Sequence, residues 1–260
     1  MLPNELRPLK IDEKNLIRIG PNMDGGYVLD KRIIKDIETI ITCGLSDDWE
    51  FEKHFLKLKP NVNIAAYDHT VNNYFWTQRF LKDILHFFLL KKLRISKIVK
   101  IFKFLDYKIF FRGKKIHHKL KVGESNILYN EITINEILKN KKNVLLKVDI
   151  ECDEYKILKN IIENSEKIDC LLIEFHQIKK NIEQIKNFIK ENKILKLIHI
   201  HGNNYANIDN QGMPAALELT FINSKKININ NEKNTNFYPI KGIDYPNIKR
   251  HKDVKLTFEN

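Results

Sequence analysis

Short apolar runs alternate with amphipathic stretches along most of this chain. Six runs are predicted to be strands, at residues 37–43, 63–67, 143–149, 169–175, 195–201 and 216–223. Apolar positions at helical spacing predict helices over residues 49–58, 132–140, 153–164 and 179–192. Because strands and helices alternate, the chain is predicted to form right-handed βαβ units around a parallel sheet.

The last two predicted strands are joined only by the loop 202–214, which has no room for a helix of ordinary length. They are therefore expected to pair antiparallel. The run 144–148 is apolar on both faces, as expected of a strand that lies between two layers of helices. The pattern predicts an α/β fold whose mostly parallel sheet ends in an antiparallel hairpin, with residues 1–260 as one domain.

The segment 72–121 interrupts this alternation. It combines apolar residues at helical spacing, such as Phe87, Leu90 and Leu93, with many lysines. We predict an inserted basic helical cap that buries its apolar face on the domain and leaves its lysines in water. A helix lying on a membrane surface is the alternative interpretation, and peripheral membrane contact through residues 82–121 stays open.

The net charge of +12 is concentrated in one part of the chain. Residues 82–121 contain thirteen Lys or Arg against two Asp, a net +11, so the remainder carries only +1. Binding of a polyanion, if it occurs, is therefore expected from this segment and not from the whole fold. A codon bias toward lysine would raise the charge without any function, and this interpretation also stays open.

Several classes of protein are disfavoured by the sequence. The first twenty residues contain no uninterrupted apolar stretch, and no charge-free run is long enough to span a bilayer. Cys43, Cys152 and Cys170 lack metal-ligand spacing and are odd in number, which is typical of buried thiols in a reducing compartment. The chain is expected in the cytoplasm.

In open α/β sheets, ligands bind beyond the carboxyl ends of the strands. Gly44 follows the first predicted strand, where a glycine lets the backbone approach a ligand. Asp68 follows the second strand, where an acidic side chain can accept both hydroxyls of a ribose. The alternative for Asp68 is the start of an ordinary turn.

Three further strands end in ionisable residues. These are Asp149 with Glu151 just beyond it, Glu174 and His176, and His199 and His201. We predict a reaction centre made of Asp149, His176 and His201. A histidine there could act as general base, or Asp149, Glu174, His176 and His201 could bind Mn²⁺ or Mg²⁺. The sequence does not decide between these chemistries.

Five blocks of sequence resemble the signatures of FkbM-type methyltransferases. They are residues 18–29 (RIGPNMDGGYVL), 44–52 (GLSDDWEFE), 146–151 (LKVDIE), 173–176 (IEFH) and 199–205 (HIHGNNY). The resemblance implies a Rossmann-like fold and S-adenosylmethionine (SAM) as cofactor. It also implies a SAM pocket lined by Asp24, Gly25, Gly26, Tyr27, Gly44 and Ser46, with Asp68 on the ribose.

Similarity is greatest to bacterial enzymes that O-methylate sugars for capsular or other surface polysaccharides. It implies a saccharide or nucleotide-sugar substrate and no nucleic-acid partner. Assembly into a homo-oligomer stays open. The chain departs from the family at Cys152, where glycine is more usual, and in its basic insertion. That insertion carries lysines and aromatic residues, so an RNA-binding or RNA-methylating protein and a membrane-bound scaffold are the competing hypotheses.

Overall fold

A computed structural model describes residues 1–89, 102–125, 130–205 and 213–259 of the chain. Its strands are β1 (Leu16–Ile19), β2 (Tyr27–Asp30), β3 (Thr39–Cys43), β4 (Asn63–Tyr67), β5 (Lys115–His118), β6 (Lys121–Gly123), β7 (Glu131–Thr133), β8 (Val144–Val148), β9 (Ile168–His176), β10 (Leu195–Gly202) and β11 (Ala216–Asn223). Its α-helices are α1 (Glu50–Leu58), α2 (Asn73–Leu89), α3 (Lys103–Phe110), α4 (Ile134–Ile137), α5 (Glu154–Glu163) and α6 (Ile178–Glu191).

Within the described residues, seven strands form the central sheet in the order β10-β11-β9-β8-β3-β4-β5. Neighbouring strands from β9 to β5 run parallel, and β11 runs antiparallel to both β9 and β10. The predicted α/β fold, with a mostly parallel sheet that ends in an antiparallel hairpin, is therefore confirmed. The order of the strands reverses at β3, because the chain continues to β4 on one side of it and later adds β8 on the other. A ligand is therefore expected above these three strands.

The inner strands are buried on both faces because helices cover the sheet. All five residues of β8 are buried, which explains its continuous apolar sequence. Helix α5 buries Ile157 and Ile161 on one face, and α6 buries Ile185 and Phe188. This helical spacing of apolar residues is what the sequence pattern shows.

Several parts of the fold differ from the predicted elements. Strand β5 was not predicted, and it lies inside the segment 72–121 as the edge strand next to β4. The β1–β2 hairpin was also missed, and α4 covers only part of the predicted helix 132–140. The lysines at 91, 92, 97 and 100 and the apolar positions at 90–101 lie outside the described residues, and the division into one domain with an inserted cap stays a prediction.

The carboxyl-terminal part of the chain packs against β10 and the amino terminus. The backbone N–H of Leu2 donates to Thr257, and Asp244 lies 3.0 Å from Nε2 of the buried His199. Among the described residues, His199 therefore pairs with this segment.

Within the described ranges, no helix is both long enough and apolar enough to cross a bilayer.

Candidate active site

A cleft of ≈ 420 Å³ lies at the carboxyl ends of β3, β4 and β8. The loops that follow these strands contribute Gly44, Asp68 and Asp149 to its wall. Asp24 and Gly25, from the turn before β2, close one side. This cleft lies at the edge of the sheet where the sequence analysis expects a ligand.

Asp68 holds the turn that follows Gly44. Its Oδ2 accepts hydrogen bonds from the backbone N–H groups of Leu45 and Ser46, each at 2.9 Å, and its Oδ1 accepts one from Thr70 N–H at 2.8 Å. Burial raises the pKa of Asp68, but the bonds from Thr70, Ser46 and Leu45 outweigh it, so the net pKa is lowered. Asp68 is ionised and shapes the cleft by organising this turn, and its predicted bond to a ribose would be additional.

Gly44 sits where two strand ends touch. Its φ is +84°, and a Cβ added there would lie 1.7 Å from the backbone oxygen of Asp149. The N–H of Asp149 in turn donates to Cys43 O at 2.8 Å. Only glycine combines this left-handed conformation with such a close approach.

The turn before β2 lines the cleft with two of its residues and supports it with two others. Asp24 and Gly25 line it, whereas Gly26 and Tyr27 are buried beside it and are not part of the lining. A Cβ on Gly26 would lie 2.1 Å from Pro21 O, so this glycine lets the turn close. Tyr27 packs its ring 5.3 Å from the ammonium of Lys147, which lines the cleft.

Asn247 fastens this turn to the carboxyl-terminal segment. Its side-chain N–H group donates to Asp24 Oδ1 at 3.2 Å and to Glu218 Oε1 at 2.6 Å, while its backbone oxygen accepts from Asp24 N–H at 3.2 Å. Nothing in the sequence pattern pointed to Asn247, because 223 positions separate it from Asp24.

His176, at the end of β9, lies among three carboxylates. Its Nε2 is 3.5 Å from Glu151 Oε2, 3.9 Å from Asp149 Oδ1 and 3.9 Å from Glu174 Oε1. Asp149 and Glu151 also line the cleft. The structure thus brings together three of the predicted site residues, Asp149, Glu174 and His176, and adds Glu151.

Glu154, in the first turn of α5, fixes the orientation of His176. It is fully buried, and its Oε1 accepts the backbone N–H of His176 at 2.6 Å and lies 3.2 Å from Nδ1. Because an ionised carboxylate can only accept, this contact places a proton on Nδ1 and leaves Nε2 facing the other three carboxylates. The sequence analysis missed Glu154, since an acidic residue in a first helical turn has an ordinary role toward the helix dipole.

Burial and the neighbouring charges shift the pKa values of this cluster. Burial raises the pKa of Asp149 to about 6, although Lys147 and His176 oppose the shift. Burial also raises the pKa of Glu174 well above its usual value, with repulsion from Asp149 adding to it. For His176, burial lowers the pKa, but Glu154 and Asp149 outweigh burial and raise it. The cluster therefore stabilises positive charge at its centre.

His201 lies apart from this cluster. Strand β11 stands between β9 and β10, so Glu218 of β11 separates His201 from Glu174. Its Nδ1 is 3.0 Å from Glu218 and its Nε2 is 3.0 Å from Asp253. Burial opposes protonation, but these two carboxylates raise the pKa of His201 to about 10, which leaves it protonated and without a free nitrogen for a base or ligand role.

Three residues in the described part of the chain could hold a metal ion. One ligand atom from each of Asp149, Glu151 and His176 lies within 4.8 Å of the others. Asp149 Oδ1 is buried and has no hydrogen-bond partner among the described residues, so it is available to a cation. Glu174 is held differently, because its Oε1 accepts a hydrogen bond from Asn203 at 2.7 Å. Compared with the four predicted metal ligands, this group keeps Asp149 and His176, adds Glu151, and lacks Glu174 and His201.

The backbone is left-handed at two adjoining residues next to this cluster. Glu151 has φ +52° and Cys152 has φ +80°, and neither is glycine. Such conformations are strained in residues with a Cβ, and strain of this kind gathers at functional sites. Here it turns the chain sharply between β8 and α5, so that Asp149 and Glu151 both face the cleft.

We predict that Cys152→Gly raises the free energy of unfolding by about 1 kcal/mol, because glycine adopts the φ of +80° without strain. Cys152→Ala removes the thiol but keeps the Cβ, so it is the matched control and is expected to give no such gain. Urea denaturation of both variants measures the difference. Equal stability of the two variants would show that residue 152 is not strained.

No family profile and no curated protein sequence matches the chain. Solved structures with a similar fold include a precorrin-6y C5,15-methyltransferase from Geobacter metallireducens (7% identity, 73% of this chain and 84% of that chain, TM-score 0.31). They also include TYW2 from M. jannaschii in complex with AdoMet (14%, 82% and 89%, TM-score 0.30). A third is a 30S ribosomal A1408 methyltransferase from an uncultured bacterium (9%, 79% and 98%, TM-score 0.31). The first and the third are methyltransferases, and the second is bound to AdoMet.

Proposed function

We propose that this protein is a SAM-dependent O-methyltransferase that acts on a hydroxyl of a saccharide. The observation that carries the proposal is the continuity between the cleft and the His176 cluster. Asp149 and Glu151 belong to both, so a cofactor bound above Gly44 would end beside ionisable groups that can activate an acceptor.

The charge of the cleft supports SAM over other adenosine cofactors. Among the described residues that line it, seven are Asp or Glu and two are Lys. When bound, SAM supplies a methyl group on a positively charged sulfonium. A negative wall stabilises that cation, whereas it repels the phosphates of NAD or ATP. The volume also lies in the roughly 300–1,000 Å³ range of small-molecule sites.

The chain's own residues would prepare the acceptor. A sugar hydroxyl is a weak nucleophile while it keeps its proton, so the site must withdraw or polarise that proton. Asp149, Glu151 and His176 would hold Mg²⁺ or Mn²⁺, which lowers the pKa of a bound hydroxyl. Glu154 supports this assignment, because a histidine that binds a metal usually donates its other N–H to a carboxylate or carbonyl. A His176 base acting without metal is the alternative.

The resemblance to FkbM-type enzymes supports a saccharide acceptor of the kind used for surface polysaccharides. A nucleotide-activated sugar carries a diphosphate, for which cations outside the acidic wall, such as the exposed Lys119 next to the lining residue Leu120, are suitable partners. An RNA acceptor is the second candidate, since basic residues adjoin Tyr107 and Phe111 in a groove lined also by Arg112.

Ligand-dependent melting tests the cofactor assignment. SAM at one hundred times its Kd is expected to stabilise the protein by about 2.7 kcal/mol, and ATP at the same concentration is expected to leave the melting temperature unchanged. Stabilisation by ATP and not by SAM would overturn the proposal.

Mass spectrometry then tests the acceptor. After incubation with SAM, a methyl group is expected on one member of a panel of nucleotide-activated sugars, and a structured RNA in the same panel is expected to remain unmodified. Methylation of the RNA alone would keep the SAM assignment and reject the saccharide.

A further inference from the structure

The two described helices of segment 72–121 leave apolar side chains in solvent. On α3, Leu105 and Ile109 are four residues apart and therefore on one face, and they are 53% and 64% exposed. On α2, Leu81 and Leu85 have the same spacing and are each 56% exposed. The predicted cap was expected to bury its apolar face, and in these helices part of that face is uncovered.

The opposite faces of the helices are buried, so these exposed residues are not the core of a loosely packed element. Trp76 of α2 and Tyr107 of α3 have ring centroids 4.9 Å apart. Tyr107 also packs against Trp49, at 5.8 Å, next to α1. The helices thus lie side by side on the domain, each with one apolar face inward and another outward.

Cations lie close in sequence to the exposed apolar residues. The described residues 72–89 and 102–121 contain nine Lys or Arg and two Asp, a net +7. Four of these cations are exposed: Lys82, Lys108, Arg112 and Lys114. Lys108 directly precedes Ile109 in α3, and Arg112 follows the end of this helix. Exposed aliphatic side chains beside exposed cations are the combination that binds the interface of an anionic bilayer.

We propose that α2 and α3 form a docking surface for an anionic lipid membrane. RNA fits the surface less well. Exposed rings such as Phe80 and Phe104 can stack on bases, but the aliphatic side chains beside them, Leu81, Leu85 and Leu105, offer a nucleic acid neither stacking nor hydrogen bonds. A protein partner also fits less well, because the buried centres of protein interfaces are depleted in lysine. A bilayer uses both features, since the aliphatic groups insert at the acyl boundary while the lysines remain among the headgroups.

The surface adjoins the candidate active site. Arg79 of α2 forms an ion pair at 2.7 Å with Asp47, which lines the cleft. Docking through α2 and α3 would therefore hold the cleft close to the lipid headgroups. The inference does not rest on the proposed methyl transfer, because binding to lipid requires neither SAM nor an acceptor.

Vesicle co-sedimentation without cofactor tests the proposal. The protein is expected to bind vesicles made of equal parts phosphatidylcholine and phosphatidylglycerol, and to bind phosphatidylcholine alone far more weakly. Leu105→Ser combined with Ile109→Ser is expected to lower the partition coefficient roughly tenfold or more. Lys108→Gln combined with Lys114→Gln is expected to lower it about fivefold for each cation removed.

Phe237→Ser is the matched control for the apolar change. Phe237 is 91% exposed, and it precedes Tyr238, whose ring packs against His199 of β10 at the opposite edge of the sheet from β5. This variant is expected to bind vesicles like the unmodified protein. Melting temperatures check that the variants are folded. All are expected to fold because every substituted side chain is exposed.

Two results would overturn the proposal. One is a failure to bind the anionic vesicles, and the other is equal binding by the Leu105/Ile109 variant. If vesicle binding fails and both the unmodified protein and this variant bind polyuridylic acid tightly, RNA is the partner of the cations.

Discussion

Replacing His176 with alanine is expected to lower kcat for methyl transfer by roughly 10²-fold or more, the contribution of a well-positioned acid, base or metal ligand. The reason is geometric. His176 is the residue whose Nε2 lies within 3.9 Å of Asp149, Glu151 and Glu174 and is aimed by Glu154. Steady-state kinetics with SAM and the saccharide that accepts the methyl group measure the effect. The KM for SAM is expected to change little.

Two variants make this result specific. His251→Ala removes an exposed histidine from the carboxyl-terminal segment and is expected to leave kcat unchanged. Glu154→Ala should lower kcat, and Glu154→Gln should recover part of the loss because its amide oxygen still accepts from Nδ1. Should His176→Ala retain near-normal kcat, the reaction centre would lie elsewhere.

Chelation separates the two chemistries that the cluster allows. If a metal is used, EDTA abolishes activity and added Mn²⁺ or Mg²⁺ restores it. If activity is indifferent to EDTA and is still lost in His176→Ala, the histidine acts as a base without metal. The same assay with Glu151→Gln tests the one member of this group that was not among the predicted ligands.

Gly44→Ala is expected to abolish SAM binding. It is also expected to lower the free energy of unfolding by about 3 kcal/mol more than the same change at a glycine where an added Cβ meets no other atom. The added Cβ would fall 1.7 Å from Asp149 O, and a backbone atom cannot rotate away as a side chain does. The ends of β3 and β8 would have to separate, which opens the floor of the cleft. Urea denaturation and the melting shift with SAM measure the two effects.

Gly242→Ala is a matched control for this change. Gly242 has the same φ of +84°, and an added Cβ there meets no atom within 4 Å. It isolates the conformational strain of about 1–2 kcal/mol from the steric clash. Equal losses of stability in the two variants would show that the contact between Gly44 and Asp149 is not tight.

The sequence predicted the inner strands well because burial on both faces leaves a direct trace. The predicted strand 143–149 became Val144–Val148, all of it buried. Strand β5 left no such trace, because an edge strand has polar, half-exposed residues, and Lys115 and His118 resemble the surrounding basic segment. The predicted helix 132–140 begins only at Ile134, because β7 takes residues 131–133 and Thr133 caps the helix.

The candidate site was predictable where it depends on strand ends and unpredictable where it depends on strand order. Asp149 and His176 meet because parallel strands β8 and β9 are neighbours. His201 does not join them, because β11 lies between β9 and β10. The sequence showed that β10 and β11 pair, but not which of them faces β9. Glu154 could not be found because its partner, the backbone of His176, becomes visible only in three dimensions.

The bond between Asn247 and Asp24 has a consequence for folding kinetics. It joins residues separated by 223 positions, so the wall of the cleft made by Asp24 and Gly25 closes only after a very long loop has closed. A molecule that binds in the cleft therefore finds its site only in chains that have passed this step. Such a ligand is expected to slow unfolding while it leaves the folding rate almost unchanged.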